Sequence, residues 1–322
     1  MNVAASSVVK IQAPVRISKR NALKTMDFYR LGLTLLTTLI ASIGSGCAWV
    51  DSTQRHMVFM PTAEIVDTPE DFKVRYGEVW IPIPATTREG RATERLNAWW
   101  IPADNPRAPA VLYLHGNDLN IGDSAFNSAQ LQRLGFSVLA IDYRGFGKSG
   151  GVFPSEAQVY EDAQTAWLYL KSRIPQGRKR YIYGHSLGGA VGIDLAVKNP
   201  DAAGLIVEST FTSILDMGKR IDGIRYLPLD WILTQRFDSL AKIGKLNMPV
   251  LLFHGTADDT VPYDMSQRLY DAAPQPKRLV LIPNADHSSV PVIGSTQYGC
   301  AVHTFMRMTG LTRKAYAPSK AC

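Results

Sequence analysis

Gly184-His185-Ser186-Leu187-Gly188-Gly189 is the segment of this 322-residue chain best suited to chemistry. It follows directly on the apolar run KRYIYGH and opens a helical pattern, which places Ser186 on a tight turn from strand to helix. Such a turn needs small neighbours, because a bulky side chain two residues to either side would collide with close-packed backbone. A serine hydroxyl is a weak nucleophile at neutral pH. It attacks an acyl carbon only when a base within hydrogen-bond reach takes its proton, and that base must be oriented by an acid.

The chain has six histidines to supply the base. His56 precedes the region of alternating elements. His115 and His254 each end an apolar run and are followed by glycine, which suits them to shaping turns or lining the edge of a site. His185 occupies the variable position of the serine turn and is expected to pack. His303 falls on the last helical pattern, as a surface or core residue. His287, in NADHSS after the last apolar run, lies in a loop that can carry an imidazole over the serine, and is the best base. Acids end two strands: Glu208 after GLIV, and the pair Asp258 and Asp259 in HGTADDTVP. The chain order serine, acid, histidine fits either place.

The elements that must position these groups are legible as alternating strand-length apolar runs and helix-length amphipathic stretches from Tyr76 onward. GEVWIPI and RLNAWWIP read as an antiparallel hairpin at one edge. Six buried strands follow at 110–116, 137–143, 179–185, 204–210, 249–255 and 278–283, with helices near 123–134, 156–173, 187–198, 262–272 and 295–309. This order predicts an α/β fold, an eight-stranded, mostly parallel sheet with helices on both faces, whose sites form at the carboxyl ends of strands. Residues 211–248, between the sixth and seventh strands, read as a small helical cap, with Tyr226, Leu227 and Trp231 shaping a shallow, partly apolar pocket. The hydrolase domain is expected to span 76–322, with 47–75 as an N-terminal linker.

HGN at 115–117, DYRGFGKSGG at 142–151, GHSLGG, FTS at 211–213, HGTADDTVP and ADH at 285–287 together resemble the α/β-hydrolase superfamily. They look closest to its short-lid serine hydrolases, a branch that includes animal protein depalmitoylases and uncharacterised bacterial proteins. The resemblance covers about residues 76–310. It implies Ser186, Asp258 and His287 as the catalytic triad, with Asp259 facing elsewhere. It implies an oxyanion hole from the backbone N–H of Leu187 and of Asn117, although the Asn117 side chain is also suited to capping the next helix. The expected activity is cleavage of a small-molecule carboxylic ester or thioester through an acyl-enzyme, without cofactor. A serine peptidase on the same fold, or an envelope protein that keeps the fold as a non-catalytic binding module, are the alternatives.

One loop invites a different reading. Gly145-Phe146-Gly147-Lys148-Ser149-Gly150 matches GxGxxG after a strand, and its GKS matches the end of a phosphate loop. Asp142 stands where a phosphate loop has its first glycine, and Val152, Phe153 and Pro154 intervene before any helix. Nucleotide binding is therefore not expected.

Nor is nucleic acid, despite a formal charge of +7. Residues 1–30 hold Lys10, Arg16, Lys19, Arg20, Lys24 and Arg30 against Asp27, leaving only +2 for the rest. A basic segment, an uncharged apolar run at 31–43, then Gly44, Ser45 and Gly46 before Cys47 resemble a bacterial lipoprotein signal, with Met26 as an alternative start. The implied product is a protein lipidated on Cys47 and anchored at the membrane of the cell envelope. The competing reading is a single N-terminal transmembrane anchor, since the uncharged stretch continues through Val50. With Cys47 lipidated, Cys300 and Cys322 remain, as a disulfide or as two thiols. No cysteine or histidine cluster has the spacing of a metal site.

Overall fold

A computed structural model describes residues 46–83 and 94–311 of the chain, with side chains from Ala48 onward. The leader, the Cys47 thiol and Cys322 lie outside the described residues; Cys300 is disulfide-bonded. The body of the protein is the unit Ala48–Cys322.

Its centre is an eight-stranded sheet in the order β10-β9-β8-β7-β4-β6-β3-β2. The strands are β2 (Gly77–Pro82), β3 (Arg95–Ile101), β4 (Ala110–Leu114), β6 (Ser137–Ile141), β7 (Arg180–His185), β8 (Gly204–Glu208), β9 (Val250–Gly255) and β10 (Lys277–Ile282). β3 runs antiparallel to both its neighbours, and every other pairing is parallel. The architecture is the α/β-hydrolase fold.

Alternation along each strand divides the interior into two cores. Leu112, Leu139, Ile182, Leu205 and Leu252 face one side, where helices α3 (Glu156–Arg173), α4 (Leu187–Lys198) and α8 (Asp264–Ala272) cover them. Val111, Val138, Tyr183, Ile206 and Phe253 face the other, under α2 (Ala125–Arg133) and α10 (Ser295–Met308). The chain steps from β4 outward to β6, then crosses to β7 on the opposite side of β4. That crossing opens a crevice at the carboxyl ends of β4 and β7, the place where sheets of this kind bind ligands.

The segment ahead of the sheet is not a linker. Helix α1 (Gly46–Val58) leads into Phe59, which is buried against the rings of Phe146 and Phe237. Arg55 Nε donates to Pro154 O at 2.7 Å, and Asn120 Nδ2 donates to Glu64 O at 2.6 Å. β1 (Met60–Pro61) pairs with β5 (Asp118–Leu119) in a small second sheet. The expected boundary at residue 76 is therefore corrected to Ala48, because one buried aromatic residue and a short strand pin a segment with no periodicity of its own.

The cap consists of short helices, α5 (Ile214–Gly218), α6 (Leu229–Ile232) and α7 (Leu240–Ile243), with a 3-10 turn at Ile224–Tyr226. Leu229 and Phe237 point inward and are buried. Tyr226 and Trp231 do not line a pocket: they are 76% and 90% exposed. The glycine loop after β6 opens no helix, since the next one begins at Glu156. Gly147 instead lets backbone pass the buried Asp142 carboxylate, where a Cβ would lie 2.1 Å from Oδ2.

One further short helix among the described residues, α9 (Val290–Ile293), lies just beyond the loop that carries His287. Among the described residues no helix is long and apolar enough to cross a membrane.

Candidate active site

Ser186 has φ 54° and ψ −120°, a left-handed backbone that a non-glycine residue adopts only when its surroundings hold it there. Its N–H donates to Glu208 O at 2.9 Å, while its carbonyl accepts from Gly189 N–H at 2.9 Å and from Thr210 Oγ1 at 2.8 Å. The flanking glycines have a steric cause. A Cβ on Gly184 would lie 2.1 Å from Gly188 O, and one on Gly188 would lie 2.1 Å from Leu114 O. The spacing of the motif is thus the spacing at which helix α4 crosses the ends of β7 and β4.

The loop after β10 brings His287 to this serine, with Nε2 at 2.9 Å from Ser186 Oγ. Far from being a slack connection, the loop is tied down. His185 Nε2 donates to His287 O at 3.0 Å, Ala257 N–H donates to Ala285 O at 2.9 Å, and Asp286 Oδ1 accepts from Ser289 N–H at 2.9 Å. Gly255 permits the crossing of the two loops, since a Cβ there would meet Ala285 O at 2.2 Å.

Asp258 completes the chain of contacts, its Oδ2 at 2.8 Å from His287 Nδ1. Oδ1 accepts from Val261 N–H at 2.8 Å and Thr260 N–H at 3.0 Å. His254 Nε2 lies 3.0 Å from Oδ2 on the other side. Burial works against the charged carboxylate, but hydrogen bonds from His254, His287 and Val261 together outweigh it and hold the Asp258 pKa well below the usual range. Because an ionised carboxylate only accepts, His287 carries its proton on Nδ1 and leaves Nε2 as the acceptor facing the serine hydroxyl. The same logic fixes His254. Its Nε2–H points at Asp258 and at Val261 O (2.8 Å), so Nδ1 accepts from Ser266 Oγ at 2.6 Å.

The structure separates the rival acids. Asp259 is exposed, with Thr260 Oγ1 as its contact. The Glu208 carboxyl is fully buried and accepts from Tyr183 OH, which in turn accepts from Tyr298 OH at 3.0 Å. Burial raises its pKa, favouring the protonated form, and only its backbone carbonyl touches Ser186.

Of the two expected oxyanion donors, Leu187 follows the serine directly and Asn117 comes one residue after Gly116, which packs beside it. Leu187 opens helix α4, so its N–H has no acceptor within the helix. A Cβ on Gly116 would lie 3.5 Å from Ser186 Cβ, which places the backbone leading to Asn117 alongside Ser186. The Asn117 side chain caps no helix: Nδ2 donates to Val58 O at 2.9 Å, and Met60 N–H donates to Asn117 O at 2.8 Å. Asn120 is the residue that caps the following turn. His115 points beneath the site, where burial lowers its pKa to about 4 and Nδ1 donates to Gly116 O at 2.8 Å.

Sequence reasoning assigned His254 and His185 to turns and packing. Each also carries a hydrogen bond that positions the site. Their signal was the glycine after His254 and the serine after His185, which mark loops built to close approach.

Comparison with known proteins places these residues in a family. The Hydrolase_4 profile, described as serine aminopeptidase S33, matches residues 105–237 and 232–290. The uncharacterized protein Rv2307c of Mycobacterium tuberculosis is 33% identical over 89% of this chain and 99% of its own length. Lysophosphatidylserine lipase ABHD12 of Danio rerio is 36% identical over 62% of this chain and 56% of its own. Among solved structures, the esterase Pf2001 of Pyrococcus furiosus superposes with a TM-score of 0.62 at 22% identity, over 78% of this chain and 97% of the esterase.

Proposed function

We propose that this chain, which belongs to the Hydrolase_4 family (serine aminopeptidase, S33), cleaves carboxylic esters or thioesters through an acyl-enzyme on Ser186. The observation that carries the reading is the unbroken contact chain from Ser186 Oγ through His287 to Asp258, at 2.9 and 2.8 Å. Ser186 Oγ attacks the acyl carbon as its proton passes to His287 Nε2. The tetrahedral oxyanion is held by the N–H groups of Leu187 and Asn117. His287 then returns the proton to the leaving alkoxide or thiolate, which departs as alcohol or thiol. Water repeats the sequence on the acyl group and releases the acid and the free serine. Asp258 stabilises the imidazolium at both stages and stays ionised.

The named activities of the lipase ABHD12 and the esterase Pf2001 favour an ester. The family description supports a second reading, release of an N-terminal residue from a peptide. Side-by-side turnover of model esters of increasing chain length and of aminoacyl amides separates the two, and a fluorophosphonate probe tests the nucleophile in both. Ser186→Ala should abolish labelling and lower kcat by about 10³ or more. Labelling that survives in the variant overturns the assignment.

The leader supports anchoring at the cell envelope, through lipid on Cys47 or through an uncleaved span. Lipid incorporation that disappears in Cys47→Ser, together with release of the protein, is the result expected of the first.

A further inference from the structure

We propose that the outer lip of the cap, residues 224–233, docks on the lipid surface of the membrane that holds the leader. Trp231 and Tyr226 would sit at the boundary of headgroups and acyl chains, so that esters carried in that bilayer reach Ser186 directly. The proposal rests on membrane anchoring through the leader and, for its consequence, on ester hydrolysis at Ser186.

Three observations carry it. The first is exposure. Tryptophan and tyrosine are residues that globular proteins bury for most of their area, and here they stand 90% and 76% exposed on one short segment. Leu229, between them, is buried, and a Cβ on Gly218 would meet its side chain at 2.9 Å, so the segment is seated on the protein with its aromatic residues turned away. Rings with an apolar body and one polar atom partition to the membrane–water boundary.

The second is attachment. Gln54 on helix α1 holds the end of the lip and the residue after it, Nε2 donating to Ile232 O at 2.7 Å and Oε1 accepting from Thr234 N–H at 2.7 Å and from Thr234 Oγ1 at 3.2 Å. Asp51 Oδ1 accepts from Gln235 Nε2 at 2.9 Å beside them. Gln54 lies six residues beyond Ala48 on that helix, a rise of about 9 Å. The apolar run of the leader ends just before the same helix begins. A bilayer that holds the chain at Cys47, by lipid or by a span, therefore holds the lip within about two helical turns of its surface.

The third is charge. Three cations of this face are paired with carboxylates, Arg225 with Asp222 at 3.2 Å, Lys219 with Asp230 at 3.6 Å, and Arg220 with Asp264 on α8; Arg225 also donates to Tyr226 OH at 2.7 Å, and Arg236 Nη1 donates to Asp230 O at 3.2 Å. Attraction to anionic headgroups is thereby largely cancelled, and the aromatic rings are left as the driving contact. Docking should be as strong on zwitterionic lipid as on anionic lipid, and insensitive to salt. The lip also leads from the site itself, since the segment that forms it leaves β8 where Thr210 Oγ1 donates to Ser186 O at 2.8 Å.

The test uses the full-length chain in phosphatidylcholine vesicles whose acyl chains carry bromine near the headgroup, with tryptophan emission as the readout. Co-flotation reports anchoring separately, and neither measurement needs turnover. The expected result is bromolipid quenching that is lost in large part in Trp231→Phe and unchanged by about 0.5 M salt. The Trp231→Ser, Tyr226→Ser double variant should also lower turnover of a vesicle-borne ester relative to a soluble one by about tenfold. Flotation with equal quenching in wild type and Trp231→Phe overturns the docking surface while leaving the anchor intact. Failure to float overturns both. Quenching abolished by salt, or Trp231 shielded by a second copy of the chain in a concentration-dependent dimer, overturns the proposal as well.

Discussion

Replacing Asp258 by asparagine probes the site most sharply, because its expected effect follows from counting donors. Oδ1 accepts from two backbone N–H groups, Thr260 and Val261, and Oδ2 accepts from two imidazoles, His254 and His287. An asparagine has one oxygen and one NH₂. The backbone donors cannot change, so the oxygen must face them and the NH₂ must face the histidines. His287 Nδ1 then becomes an acceptor, its proton moves to Nε2, and the nitrogen that faces Ser186 at 2.9 Å donates where it should accept. The base is lost although every heavy atom stays in place. A wrong tautomer of this kind costs up to about 10⁴ in kcat, or roughly 5 kcal/mol of transition-state stabilisation. Glu208→Gln is the matched control. Burial favours the protonated carboxyl there, which glutamine imitates in shape, so kcat should change less than about tenfold. Steady-state hydrolysis of a chromogenic short-chain ester by both variants, with circular dichroism to establish folding, decides the matter. Asp258→Asn within tenfold of wild type, or Glu208→Gln the more damaging of two folded proteins, would refute the reasoning.

Three further outcomes follow from the same geometry. His254→Ala removes one hydrogen bond to a charged acceptor, a loss of about 1.5–3 kcal/mol, and should lower kcat roughly 10- to 100-fold with KM nearly constant; a change confined to KM would contradict its role in orienting Asp258. Gly188→Ala drives a Cβ against Leu114 O at 2.1 Å and His115 O at 2.5 Å, and should lower Tm on the order of 10 °C, read by calorimetry. The Asp258 pKa is depressed in the folded protein, so the unfolded chain takes up the proton first as pH falls; the stabilisation is present above about pH 4 and lost below it. Urea midpoints of wild type and Asp258→Asn should therefore draw together progressively as pH falls below about 4, and parallel curves would exclude this linkage.

The eight strands and the helices Glu156–Arg173 and Leu187–Lys198 were legible because their apolar patterns are long and the parallel sheet is buried on both faces. The N-terminal boundary was not. Phe59 is fixed by rings at Phe146 and Phe237, and the pairing of Met60 with Asp118 spans two residues, so no local period announces either. The cap was legible as an insert but not in its orientation. A run such as IRYLPLDWIL contains enough apolar residues to face inward, and only the burial of Leu229 shows which way the segment is turned.

Within the site, what could be read was what close backbone approach dictates. Gly184, Gly188 and Gly255 stand where two chains pass with no room for a Cβ, and such positions leave fixed spacings around Ser186 and before Asp258. For the acid, the spacing from His254-Gly255 to Asp258 was the local mark, and Glu208 remained a competitor because it ends β8 as Gly255 ends β9. Strand parity separates them. Glu208 alternates with Val207 and shares its face with Ile206, in the core beneath α10, where Tyr183 and Tyr298 receive it. His254 has the parity of Val250 and Leu252, which turns it toward α8 and Ser266, and the loop that returns after Gly255 brings the Asp258 carboxylate back onto its Nε2. The histidine that ends β9 and the acid four residues later thus form one unit. The strand sets the direction of the imidazole, the imidazole with two backbone N–H groups sets the carboxylate, and the carboxylate sets the tautomer of His287. Precision at Ser186 is inherited from β9, an element that does not touch it.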